Sequence, residues 1–281
     1  MMQTQQFALH ANVEDRHWWF VARRRIMTRL VRAVLPPGQG GIVMDVGCGT
    51  GANIASLMGE YICVGADSSA EAVAWCRRRF PGLRVEQGHV PPALADVAHK
   101  AELILLMDVI EHVRDDFLLL SEILAVARPG AHVLVTVPAD ASLWSPHDVA
   151  FGHYRRYDAQ RLAATWAGLP VTTRLLSHFN SRLYPLVKAA RAAARRRGHA
   201  RGEDGTDFTV PSPPVNALLR LAFEGEGRRL ERQLRGGRGQ GPRHGVSLIA
   251  LLRREQGDLR PRHKPAGLPS DLFDPEAPRH Q

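Results

Sequence analysis

Between residues 42 and 137, short apolar runs alternate with stretches in which apolar side chains recur every three or four positions. The runs at 42–46, 62–66, 83–86, 102–107 and 132–137 predict strands, and the stretches between them predict helices near 52–59, 69–80 and 116–127. Strand and helix periods alternate along this stretch, which argues for a parallel sheet covered on both faces. Pro81-Gly82 and Pro129-Gly130 stop two of the helices, and Asp115 or Asp116 caps another. A helix near 158–167, opened by Asp158, precedes a sixth strand at 171–177; Val246 to Leu252 reads as a seventh. Upstream, Ile26, Leu30, Val31 and Val34 mark a helix that ends at Pro36-Pro37-Gly38. Its aromatic lead-in, His17-Trp-Trp-Phe20, either closes over a ligand or packs the helix on the core.

The first strand carries Asp45 near its end and runs into Gly47, Gly49 and Gly51. Glycines spaced two apart permit a sharp bend and a close backbone approach, and a helix opening near Ala52 aims free amides at the same place, so the anionic end of a ligand is expected there. Asp45 adds a carboxylate suited to an ammonium group on that ligand. One alternative is a purely structural turn. Another is a nicotinamide dinucleotide, NAD(P), since Gly47-x-Gly49-x-x-Ala52 satisfies the G-x-G-x-x-G/A fingerprint and Asp67 follows about 20 residues on. Asp45, the odd spacing of the third glycine, and the cluster Asp108-Val-Ile-Glu-His112 after the fourth strand favour S-adenosyl-L-methionine.

Five motifs stand in order: Asp45-Val-Gly-Cys-Gly-Thr-Gly51, Val64-Gly-Ala-Asp-Ser68, Leu106-Met-Asp-Val-Ile-Glu-His-Val113, Ala127-Arg-Pro-Gly-Ala131 and Gly152-His-Tyr-Arg-Arg-Tyr157. In them the chain resembles the class I S-adenosylmethionine-dependent methyltransferases, particularly the small-molecule branch that includes ubiquinone-biosynthesis-like enzymes. The resemblance covers residues 13–180 and returns at 245–253. It implies an α/β, Rossmann-like, seven-stranded doubly wound sheet of order 3-2-1-4-5-7-6 with the last strand antiparallel. The loop of Gly47, Cys48, Gly49 and Gly51, with Asp45, then suits the amino-acid end of the cofactor, Asp67 with Ser68 the ribose hydroxyls, and Asp108 with Val109 the methionine side. After the third strand the family places a Gly-Asp pair whose acid receives the adenine amino group; here Gln87-Gly88-His89-Val90 stands, so His89 or a main-chain group takes that place.

Residues 1–254 are expected to form the methyltransferase domain, with 181–244 a helical, basic insertion between the last two strands and 255–281 a disordered tail. Within the insertion, 182–201 is helical in pattern and holds Arg182, Lys188, Arg191, Arg195, Arg196, Arg197 and Arg201 without an acid; 202–214 is polar and irregular. Residues 215–235 form an amphipathic helix weakened by Gly225 and Gly227. The net charge of +9 raises the question of nucleic acid, but residues 1–180 balance, and the excess of Lys and Arg lies wholly in the last hundred residues. The insertion therefore suits either an RNA grip or the anionic inner face of a membrane, or simply packs as a solvated lid. No apolar stretch is long enough for a signal peptide or a spanning helix, which leads to an expectation of a cytoplasmic protein. Cys48, Cys63 and Cys76 lack paired ligand spacing, so neither a disulfide framework nor a metal site is expected from them.

Methyl transfer needs an aligned nucleophile in a dry pocket and, for an oxygen nucleophile, a proton acceptor. His147 and His153, in the loop after the fifth strand, are the catalytic candidates, as base or acceptor contact. Arg155 and Arg156 either hold an anionic acceptor group or pair with Asp148 and Asp158; Glu111 and His112 either shape the pocket floor or bond nearby amides. The acceptor expected is a small or lipid-like molecule methylated at oxygen.

Overall fold

The computed structural model describes residues 4–196, 209–237 and 241–264. Seven strands form one sheet: β1 Ile42–Val46, β2 Ile62–Asp67, β3 Arg84–Gln87, β4 Leu103–Met107, β5 His132–Pro138, β6 Val171–Phe179 and β7 Ser247–Arg254. Their order is β3-β2-β1-β4-β5-β7-β6, with β7 antiparallel to both of its neighbours. Helices α1 Thr4–Val13, α2 Trp18–Val34, α3 Ala52–Ala55, α4 Ala70–Arg79, α5 Ala95–Ala98, α6 Asp116–Val126, α7 Pro146–Ala150 and α8 Ala159–Ala164 come before β6, and α9 Tyr184–Arg196, α10 Pro213–Glu224 and α11 Gly227–Leu234 lie between β6 and β7.

Alternate residues of the inner strands supply two cores, one on each face. Met44, Ile104 and Val133 pack with Phe117 and Leu120 of α6, whereas Val43, Leu103, Leu105 and Leu134 pack with Ile26 and Leu30 of α2. Phe223 and Leu230 of the insertion are fully buried in the second core. The expected continuous helix over 215–235 breaks between α10 and α11, where the Glu226 carboxylate accepts from Ser181 N and Arg182 N at 2.8 and 2.9 Å. Asn216 Oδ1 accepts from Trp18 N at 2.9 Å, and Arg25 and Arg29 pair with Glu224 and Glu231, so the insertion is fastened along α2. Residues 202–208 of the expected irregular stretch lie outside the described residues.

Parallel pairing puts the carboxyl ends of β1, β2, β4 and β5 on one edge. Pro138 of β5 and Phe179 of β6 both pair with Ser247, so the insertion leaves and rejoins the sheet at that same edge. Three non-glycine residues just beyond strand ends have left-handed backbone, Asp108 and Asp140 at φ 60° and Asn180 at φ 53°, a strain that tends to gather where ligands bind.

Three expectations need correction. The helix expected at 52–59 is only Ala52–Ala55, because Gly51 enters it with left-handed backbone and the chain turns again at Ser56. An additional helix, α1, packs on α4. Residues 255–264, expected in a disordered tail, lie against the domain: Glu255 N donates to Pro170 O, Arg262 N to Ser121 Oγ and the Arg262 guanidinium to Gly168 O. Residues 265–281 lie outside the described residues.

Candidate active site

A cavity of about 1190 Å³ opens at the carboxyl edge between the glycine loop, the β4 and β5 exits, α1, α2 and α9. Single small-ligand sites run to about 1,000 Å³, so there is room for a nucleoside cofactor and a second molecule.

At one end, Gly47, Gly49 and Gly51 all have left-handed backbone, with φ of 73°, 56° and 88°. Their amides do not point into the cavity as the sequence reading expected. Gly47 N and Cys48 N donate to Ala66 O at 2.8 and 3.1 Å, Gly51 N donates to Cys48 O at 3.0 Å, and Gly49 N donates to Asp67 Oδ2 at 2.9 Å. These four amides are spent within the protein, and what the loop offers above Gly49 is space. A Cβ on Gly49 would meet nothing within 4 Å, whereas one on Gly47 would lie 2.7 Å from Val109 Cγ2 and one on Gly51 would overlap Cys76 Sγ. Cys48 also borders the cavity, its thiol held protonated by the hydrogen bond with Cys76 and by burial.

Asp67 and Ser68 line the cavity where the β2 exit meets the loop. Asp67 Oδ1 accepts from Ser69 N at 2.8 Å, and Ser69, not Asp67, caps α4 through Ala72 N. Burial raises the Asp67 pKa, against the two main-chain hydrogen bonds. His89 borders the same end. Asp45 lies beneath the loop rather than on the cavity wall, 1% exposed, and neither of its oxygens has a hydrogen-bond partner among the described residues. Burial pushes its pKa up to about 8, with Arg23 opposing and Asp67 adding to the shift.

Asp108 and Val109 border the cavity midway. The Asp108 carboxylate is held by Arg23 at 2.6 Å and by Thr136 Oγ1 at 3.1 Å. Sequence reading missed Arg23, because Arg23-Arg24-Arg25 reads as a solvated face; only its place on the same helical stripe as Ile26 and Leu30 hinted at burial. Trp18, Trp19 and Phe20 border the cavity and also pack, Trp18 edge-on to Phe223 and Trp19 edge-on to Phe20. Glu14, just after α1 and also missed, accepts from Thr50 Oγ1 at 2.9 Å and pairs with Arg79, drawing α1 over the loop.

The far end is built from the Ile110–His112 turn after β4 and the 145–156 segment after β5. His153 Nδ1 lies 2.9 Å from Asp148 Oδ1. Arg156 grips the same carboxylate with two nitrogens at 2.9 and 3.2 Å. Burial opposes the charge of Asp148, but His153 and Arg156 hold its pKa far below the carboxylate range. Of the alternatives open for the two arginines, Arg156 takes the pairing with Asp148; Arg155 instead pairs with Asp116 at 3.4 Å and donates to the Val113 and Arg114 carbonyls, and Asp158 caps α8. His147 reaches the same wall, its ring 4.5 Å from that of Phe151, and burial holds it neutral. Burial likewise lowers His112 to about 3, with His153 adding to the effect. Glu111 is fully buried at the cavity floor and neither carboxylate oxygen has a hydrogen-bond partner among the described residues; burial pushes its pKa well up.

The chain matches the methyltransferase-domain family over residues 18–189. It belongs to that family. Its domain is that of an S-adenosylmethionine-dependent methyltransferase, which decides between the two cofactors the glycine loop allowed. It is 29% identical over 130 residues to a trans-aconitate 2-methyltransferase of Deinococcus radiodurans, covering 45% of this chain and 49% of the relative. It is 32% identical over 104 residues to a ubiquinone biosynthesis O-methyltransferase of Chelativorans sp., covering 35% and 41%. The matched stretches thus span about half the length of these relatives or less. Among solved structures, the plantazolicin methyltransferase BpumL, in complex with a triazolic desmethylPZN analog and SAH, superposes with a TM-score of 0.54 at 13% identity over 90% of this chain and 91% of that one. At that identity the likeness concerns the fold. Two features of the domain fit S-adenosylmethionine: open space above Gly49, which a Cβ would enter, and the buried carboxylate of Asp45 behind the loop, without a hydrogen-bond partner among the described residues. No helix among the described residues is long and apolar enough to cross a membrane.

Proposed function

We propose that this methyltransferase transfers the methyl group of S-adenosylmethionine to an oxygen of a small or lipid-like acceptor. The observation that carries the reading is a single cavity, walled by Phe7, Trp18, Trp19, Phe20 and Phe151, that runs from Gly49 and Asp67 to His153. Gly49 leaves room for the amino-acid end, Asp45 supplies negative charge behind it, and Asp67, with one lone pair left on each oxygen, takes the ribose hydroxyls beside Ser68. Asp108 and Val109 flank the methionine side, and His89 stands nearest the place for adenine. The bound cofactor supplies a methyl carbon activated by positive sulfur. What the chain does is align the acceptor and exclude water with aromatic walls.

His153 is the acceptor-side residue in this reading: Asp148 holds Nδ1, which leaves Nε2 for the acceptor oxygen or its proton. His147, buried on the same wall, positions the ring cluster. Calorimetry with S-adenosylmethionine and its demethylated product tests the cofactor; a folded chain that binds neither ends the proposal. A screen of phenolic and hydroxylated lipid acceptors, read by mass spectrometry, tests the oxygen target.

A lipid-like acceptor is favoured within that class by Leu186, Leu218 and Leu221, each at least 59% exposed on the insertion, whose helix α9 borders the cavity. Flotation with anionic liposomes checks whether these residues meet a membrane. The RNA reading loses several of its cations to the protein itself: Lys188 pairs with Asp140, Arg191 with Asp148, and Arg182 donates to Ala222 O.

A further inference from the structure

We propose that Glu111, His112 and His153 form a binding site for one divalent first-row transition ion at the floor of the acceptor end of the cavity. Each offers one ligand atom, and the three atoms lie within 4.8 Å of one another. Zinc and its neighbours hold imidazole nitrogen and carboxylate oxygen at about 2.0–2.2 Å, so ligand atoms in a tetrahedral set lie about 3.4 Å apart, and a closure of up to about 1.4 Å, within reach of side-chain rotation, completes the set.

Three observations converge on this trio. Glu111 is fully buried yet neither of its oxygens has a hydrogen-bond partner among the described residues, although it borders the cavity. An uncompensated buried carboxylate is costly, and a cation is the partner that removes the cost. The His112 and His153 rings meet edge to face with centroids 4.7 Å apart, a geometry in which two neutral imidazoles can turn nitrogens to one point. Finally, His153 Nδ1 is bonded to Asp148, which is itself clamped by Arg156, so the tautomer with a lone pair on Nε2 is the one favoured. A carboxylate behind a ligating imidazole is the usual support of such a ligand. Two imidazoles and one carboxylate select zinc, manganese, cobalt or iron(II) over magnesium and calcium. Three protein ligands leave positions open toward the cavity.

The site deepens the proposed transfer to oxygen and rests on it for its role, though not for its existence. An acceptor hydroxyl filling an open position would ionise more readily. Its proton passes to water, its oxygen lone pair forms the new O–CH₃ bond, and the electron pair of the S–CH₃ bond stays on sulfur, which becomes a neutral thioether. His153 then serves as a ligand rather than as the base.

The test uses the full chain, stripped with a chelator, in separate titrations with Zn²⁺, Co²⁺ and Mg²⁺, read by calorimetry and by the visible absorption of Co²⁺. One Zn²⁺ or Co²⁺ per chain and no uptake of Mg²⁺ are expected. Glu111→Gln and His112→Asn each abolish stoichiometric uptake, and Asp148→Asn, a positioning change, weakens it by about 10–100-fold. Titration of every variant with S-adenosylmethionine shows that its fold persists. Stripped wild-type protein that takes up no ion overturns the inference, as do Glu111→Gln and His112→Asn variants that bind like wild type. Ion uptake without cofactor binding supports the site and sinks the transfer reading; cofactor binding without ion uptake does the reverse.

Discussion

Arg23 Nη2 stands 2.6 Å from Asp108 Oδ2 and 2.9 Å from Thr136 Oγ1, so one guanidinium ties the N-terminal helix α2 to the exits of β4 and β5. Asp108 has left-handed backbone at φ 60° and borders the cavity midway between the glycine loop and His153. Arg23 is 5% exposed and also stacks over Trp19. Replacing it by Met keeps much of the volume but leaves Asp108 without its cation. Arg23→Met is expected to destabilise the chain by about 3 kcal/mol and to weaken cofactor binding, measured by urea unfolding and calorimetry. Stability within experimental error of wild type would show the pair to be incidental.

Asp67 has two roles that one substitution separates. Asp67→Ala removes the acceptor for Gly49 N and Ser69 N as well as the contact proposed for the ribose, so it should cost about 1–3 kcal/mol of stability and at least about tenfold in cofactor affinity. Asp67→Asn keeps an acceptor oxygen and should recover part of the stability but little of the affinity. Thermal unfolding alongside calorimetry checks both, and unchanged affinity in either variant removes Asp67 from the cofactor site.

The buried carboxylate of Asp45 makes stability and binding depend on pH in opposite directions. Its pKa rises from 3.8 to about 8 on folding, so the folded chain keeps a proton that the unfolded chain loses. The associated stability is fully present below about pH 4 and is lost as pH climbs to about 8. Asp45→Asn, which resembles the protonated form, should therefore gain on wild type through that window, by an upper bound on the order of 5 kcal/mol. Cofactor binding should move the other way: an ammonium favours the carboxylate, so wild-type affinity rises as pH climbs toward about 8 while that of Asp45→Asn stays flat. Parallel slopes for the two proteins would mean that Asp45 does not sense the ligand.

The glycines of the loop should differ sharply in consequence. A methyl group at Gly51 overlaps Cys76 Sγ and lies 3.2 Å from Phe80 Cδ2, and the backbone is left-handed, so Gly51→Ala should cost about 3 kcal/mol or more. Gly49→Ala meets no protein atom within 4 Å and should cost only about 1 kcal/mol, while its methyl group intrudes on the cofactor. Comparing unfolding and cofactor affinity across the pair shows whether Gly49 faces the ligand; a Gly49→Ala variant that binds normally shows that it does not.

Glu226 tests how the insertion is held. It is 1% exposed and satisfies Ser181 N and Arg182 N while pairing with Arg229 at 3.1 Å. Glu226→Ala leaves two amides and a guanidinium without their acceptor and should cost about 2–4 kcal/mol. Faster proteolysis between β6 and β7 than at the glycine loop is the expected reading.

The sequence by itself determined the seven strands, the glycine bend and the acids at the strand ends, because apolar period and turn chemistry are local properties of neighbouring residues. It also determined that Asp115 or Asp116, and Asp158, open helices, since capping needs only three or four consecutive positions. Tertiary structure alone decided that the loop amides turn inward to Ala66 and Asp67, because that depends on β2 lying beside β1. It alone decided that Arg23 meets Thr136, 113 positions away, and that His153 meets His112. Those partnerships follow from strand order, which brings the β4 and β5 exits side by side; no window of sequence contains both partners, and a buried arginine or glutamate looks like a solvated one until the element covering it is in place.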